Sequence, residues 1–181
     1  WGETTAEDIT NATTELSAPV VMLRMLAKIN VQLDKSVDGL TDTFKLKSVR
    51  VYNINARGRI VPEAGALIHE TRDNNPYVMV SSPSIPATTE DYSSRYMGPE
   101  LFQDFSAPGE TDVAIRGAIY IFETRAVVSN EKRLEATCLV VGGMYNDDTD
   151  ESYYRLDFLE SDKTTFRHIL RNNQYIMRIS I

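Results

Sequence analysis

The stretch ILRNNQYIMRISI, residues 169–181, decides the fold. From Tyr175 onward, Tyr175, Met177, Ile179 and Ile181 fall on one side, and Ile176, Arg178 and Ser180 on the other. That two-residue period belongs to a β-strand, whose successive side chains point to opposite faces. No turn, cap or polar tail follows it in the sequence. The expectation is a strand with an open edge, and Tyr175, Met177, Ile179 and Ile181 are the candidate subunit-interface strand.

The same alternation recurs upstream. AKINVQL places Ala27, Ile29, Val31 and Leu33 on one face and Lys28, Asn30 and Gln32 on the other. FKLKSVRVYNI alternates through Phe44 and Leu46 and resumes at Val49 and Val51, a slip of one residue that predicts a bulge near Lys47-Ser48. AIYIFETRAVV, ATCLVVGGMY and YYRLDFL read as three more strands, the last two joined by a hairpin with the acidic tip NDDTDE. Gly142-Gly143, inside a strand, marks a bulge or a close backbone approach. KTTFRHILRNN is the one helix candidate: Phe166, Ile169 and Leu170 have i, i+3, i+4 spacing, Thr164 caps the start and Asn172 or Asn173 ends it. With no βαβ alternation, the prediction is an all-β, mainly antiparallel β-sandwich of about seven strands with one short helix and long loops.

Residues 1–20 are polar and read as an N-terminal arm or linker; residues 21–181 form the sandwich domain. Residues 55–118 hold six of the seven prolines and make a long loop excursion, with ALIHETR and YVMV as short strands inside it. Ordered segments of this kind are usually functional or interface-forming. A chain of 181 residues is long enough for an ordinary core. The net charge of -7, with acid outnumbering base 26 to 19, argues against a nucleic-acid partner, which needs a basic face. No run of 18 apolar residues exists to span a membrane as a helix. The chain opens at Trp1 without a signal peptide, which reads as a processed or ordered portion of something longer.

Catalytic chemistry is not signalled. His69 and His168 lack an H-x-x-x-H or C-x-x-C companion for zinc, and Cys138 sits in an apolar run as a small buried hydrophobe. No nucleophile elbow, P-loop or dinucleotide fingerprint occurs. Asp147, Asp148, Asp150 and Glu151 have oxygen ligands but not EF-hand spacing, and read as a solvated hairpin tip. Asp157 and Glu160 flank an aromatic, but a glycosidase pair is defined across a cleft, not along a strand. The expectation is no enzyme, no cofactor and no metal.

MLRMLAKINVQL, FKLKSVRVYNINARGRIVP, IYIFET, ATCLVVGGMY, YYRLDF and ILRNNQYIMRIS follow one another in an order similar to that of the Bacteroidales fimbrillins, the type V pilin subunits. The chain resembles the C-terminal β-sandwich domain of the major fimbrillin, over about a third of its residues. The R-x-L-A-K-I-x-V opening and the L-R-N-x-x-Y-x-x-x-I closing are the most specific parts. The resemblance implies a structural subunit of a surface fimbrium, assembling with neighbouring subunits by strand addition, as a shaft, accessory or tip adhesin subunit that contacts host or bacterial surface ligands. It further implies export to the outer membrane as a lipoprotein, with the lipid on a precursor segment, and trimming by an arginine-specific protease, for which Arg24 and Arg95 are candidates by residue type. Two features depart from the family: the first domain reads as missing or reduced to residues 1–20, and the strands that usually follow L-R-N are not in the sequence given. A strand of the same subunit and a donor strand of the next one both fit the open edge. The alternative is a cell-surface glycan-binding module presenting Tyr92, Tyr96 or Phe102 as an aromatic platform.

Overall fold

The computed structural model describes residues 2–3, 21–34, 36, 39–85, 103–106, 114–146 and 148–180. Their strands, in chain order, are β1 (Gly2–Glu3), β2 (Val21–Met22), β3 (Ala27–Leu33), β4 (Phe44–Tyr52), β5 (Leu67–Arg72), β6 (Asn75–Val80), β7 (Gln103–Ser106), β8 (Ala114–Ile121), β9 (Cys138–Tyr145), β10 (Ser152–Asp157) and β11 (Gln174–Ile179). The fold is all-β. One sheet has the order β10-β9-β4-β7 and the other β11-β3-β8. The alternating apolar residues of both sheets point at each other. Ala27, Ile29, Val31 and Leu33 of β3, Phe44, Leu46, Val49 and Val51 of β4, Leu139 and Val141 of β9 and Ile119 and Ile121 of β8 share one buried core. Each such side chain contributes roughly 1.5–3 kcal/mol of transfer free energy, which is what holds two sheets face to face.

The slip in β4 is a bulge: the register to β9 shifts between Leu46 and Ser48. Gly142 and Gly143 lie opposite it. A Cβ on Gly143 would sit 2.2 Å from the Phe44 ring and 2.7 Å from the Lys45 carbonyl oxygen, so the close backbone approach read from the sequence is present. β5 and β6 form a hairpin closed by Asp73 and Asn74, both at positive φ (50° and 63°), the geometry of a two-residue turn of the primed type. Its Val78 and Val80 build a second small core with Leu23 and Ala66.

One expectation is corrected. The helix over 163–173 does not form. Lys163 takes a positive φ of 59°, Leu159 bridges Phe166, and Thr124 bridges Ile169. The three apolar residues with helical spacing serve three different clusters: Phe166 packs with Val127 and Ala136, Ile169 enters the main core, and Leu170 packs against the small core of Leu23, Ala66, Val78 and Val80. One helical stripe faces one way; an extended chain reaches all three. The helix of the described residues is instead a single α turn at Leu40–Thr43, with 3-10 turns at Ala64–Ala66 and Asn130–Glu135. The mainly antiparallel expectation holds, with one exception: β11 pairs with β3 in parallel. β3 is the first strand of the two core sheets and β11 the last, so nearly the whole domain supplies the long crossover that parallel pairing requires. The other pairings are antiparallel.

Candidate functional site: the open seam between β10 and β11

β10 and β11 are edge strands of opposite sheets, and among the described residues neither has a second partner. A groove of about 490 Å3 lies where the two edges meet, lined by Asp157, Phe158, Leu159 and Glu160 on one side and Asn173–Met177 on the other, with Lys163 and Arg167 at its rim. The sandwich is therefore not closed along this seam.

The phase of β11 follows from two backbone bonds. Lys28 N–H donates to the Asn173 carbonyl (3.0 Å) and Asp34 N–H to the Ile179 carbonyl (2.9 Å). The N–H and C=O of one strand residue point the same way, and the direction alternates. The main chain of Tyr175, Met177 and Ile179 thus faces β3, and that of Gln174, Ile176 and Arg178 faces outward. These three residues offer three N–H donors and three C=O acceptors in a row, without a backbone partner among the described residues.

The side chains follow the alternation read from the sequence. Tyr175 and Met177 are half-buried against the core, Ile179 is buried, and Gln174, Ile176 and Arg178 are exposed. Ile181 lies outside the described residues. The sequence therefore locates the strand and its inward row, but the row whose main chain faces away from β3 is the even one. Only the parallel register to β3 reveals that.

Side-chain contacts brace one wall of the groove. Phe158 stacks edge-on against Tyr175 with centroids 5.7 Å apart. The Tyr175 hydroxyl accepts from Leu170 N–H (2.9 Å) and donates to the His168 carbonyl (3.2 Å). Arg167 lies over the Tyr175 ring at 5.7 Å, its Nε 3.7 Å from Glu160 Oε1. The turn leading into this wall is organised by Asp162. Its Oδ1 accepts from Thr164 N–H (2.9 Å) and Thr165 N–H (2.8 Å), and its Oδ2 from the Thr165 hydroxyl (2.6 Å). These bonds, the Thr165 hydroxyl foremost, bring its carboxyl down to about 2. Neither the aromatic wall nor the Asp162 turn carries a periodic signal in the sequence.

The other candidate residues are dispersed. Asp157 is buried between Arg133 (2.7 Å) and Arg155 (2.8 Å), and so serves as an ion-pair hub at the end of β10. His168 accepts at Nδ1 from Ala126 N–H (3.0 Å); burial, then the Arg125 charge, lowers its pKa. His69 is exposed on β5. Cys138 is buried, and desolvation pushes its thiol up to about 11. Asp148 and Asp150 are exposed at the β9–β10 tip, and Glu151 accepts from the Tyr153 hydroxyl. Among the described residues no group of His, Cys, Asp and Glu is arranged to hold a metal ion. Arg24 is exposed between β2 and β3. Asp147, Tyr92, Tyr96, Phe102 and Arg95 lie outside the described residues. Comparison with protein-family models and with curated proteins finds no match for this chain.

Proposed function

We propose that this protein is a structural subunit of a bacterial surface fimbrium and that the outer edge of β11 receives a strand from a neighbouring subunit. The observation that carries the reading is the outward row of main-chain groups at Gln174, Ile176 and Arg178, beside a groove between two sheet edges. An added strand gains a main-chain ladder from that row and places alternate side chains in the groove against Phe158, Leu159 and Tyr175. The fimbrial identity is supported by the ordered sequence resemblance, which also argues for export, a cell-surface location and a lipid anchor on a precursor segment. An unpaired edge is a hazard for a monomer and a joint for a polymer.

The variant Ile176→Pro tests this. Proline removes only the N–H that points away from β3, so the domain is expected to keep its circular dichroism spectrum and its melting temperature to within a few degrees. Wild-type protein is expected to form ladders of oligomers in size-exclusion chromatography with light scattering and filaments in electron micrographs; the folded variant is expected to stay monomeric. A folded Ile176→Pro protein that assembles as wild type does would sink the reading.

A further inference from the structure

We propose that a small pocket at the other flank of β11 binds a carboxylate-bearing sugar unit. The pocket is about 240 Å3 and is lined by Arg24, Leu26, Lys28, Tyr120, Asn172, Asn173 and Gln174. Three elements meet there. Register pairs Gln174 of β11 with Lys28 of β3, and Lys28 with Tyr120 of β8. All three even-phase side chains therefore stand on the outer face of their sheet, away from the shared core. The bend after β2 brings Arg24 beside them and is fastened there by Asn172. Asn172, at a φ of 61°, donates its N–H to the Leu26 carbonyl (3.1 Å) and accepts Arg24 N–H at Oδ1 (3.4 Å).

The chemistry of the lining is one-sided. The chain carries a net charge of -7, yet among the described residues no carboxylate lines this pocket. The Arg24 guanidinium, the Lys28 ammonium, the Tyr120 hydroxyl and the amide Nδ2 of Asn172 have no protein partner among the described residues. Asn172 Oδ1 already accepts from Arg24 N–H, which leaves the amide Nδ2 as a donor to offer. Two cations with adjacent neutral donors select an anion that also carries acceptors, and a carboxylate between Arg and Lys forms the shorter, stronger charge-assisted bonds. The rest of the pocket selects a sugar over a peptide. Its volume lies below the roughly 300–1,000 Å3 of pockets for drug-sized ligands, which sizes it for a single ring. Tyr120 is 42 % exposed and gives an aromatic face for the C–H side of that ring. Asn173 and Gln174 add amides that both donate to and accept from hydroxyls. The pocket meets the strand-addition groove only at Asn173 and Gln174. The inference does not depend on assembly.

The test is titration of the protein with the methyl glycosides of N-acetylneuraminic acid and glucuronic acid, followed by amide chemical shifts. Neutral controls are methyl glucoside and the methyl esters of both acids; the other anions are tetraglutamate and inorganic phosphate. Saturable shifts confined to the surroundings of Lys28, Tyr120 and Gln174, with weakening as salt rises, are the expected result. Arg24→Gln and Lys28→Gln, both at solvent-accessible positions, are each expected to weaken binding roughly tenfold or more, and esterifying the carboxylate to do the same. Tyr120→Ala is expected to weaken the sugars and leave phosphate unaffected. The inference is overturned if neither acid binds at millimolar concentration, or if the neutral controls bind equally. It is also overturned if tetraglutamate or phosphate binds these residues as tightly as the sugars do.

Discussion

Arg171 is the most consequential single residue. Its side chain is 1 % exposed and that of Glu123 is 3 % exposed. The guanidinium spends its donors on Glu123 Oε2 (2.9 and 2.8 Å), on the Ile60 carbonyl (3.0 Å) and on the Arg59 carbonyl (2.7 Å), while Glu123 Oε2 also accepts Ser84 N–H (3.1 Å). The pair thus staples both ends of the 59–84 segment to the sandwich. Desolvation makes such a pair weak as a net source of stability, but removing one partner strands a buried charge. Arg171→Ala is expected to lower unfolding stability by about 3–5 kcal/mol in urea titration. Asp162 gives a pH signature at the same scale. Its carboxyl falls from 3.8 to about 2 on folding, so the unfolded chain binds the proton more tightly. The stabilisation is complete above pH 3.8 and is lost as pH falls toward 2. In Asp162→Asn, the unfolding midpoint is expected to lose part of its pH dependence in that window. His168 acts in a separate window: its folded pKa lies below 6.5, so its contribution is complete above 6.5 and is lost as pH falls beneath that value.

At the scale of elements, β4 and β9 show how a local slip is paid back across a sheet. The extra residue in β4 brings its backbone against β9, and only glycine at 143 leaves room for the Phe44 ring and the Lys45 carbonyl. Gly143→Ala is expected to cost about 1–3 kcal/mol, with Gly65→Ala, where nothing lies within 4 Å of the added methyl, as the near-neutral control. Both the slip and the glycine pair are legible in the sequence because strand alternation is strict and any departure from it stands out. The inward rows of β3 and β11 are legible for the same reason. The segment 163–173 is not. Its apolar spacing matches one helical stripe by coincidence, and what decides its path is the location of three separate clusters and the Asp162 turn. Strand partners are likewise silent: nothing in QYIMRI says that its neighbour is β3 or that the two run parallel.

At the scale of the molecule, the two sheets enclose one core but leave a seam where β10 and β11 end their respective sheets. The central claim is that the outer row of β11 is unpaired in the free subunit and paired in the assembly. Amide hydrogen exchange, residue by residue, measures this directly, because the inner and outer rows alternate along six residues. In the free protein the amides of Tyr175, Met177 and Ile179 are expected to be protected by β3, and those of Gln174, Ile176 and Arg178 to exchange quickly. On assembly the second set is expected to become as slow as the first. Equal protection of both sets in the free subunit, or an outer row that stays fast in the assembled filament, would contradict the account.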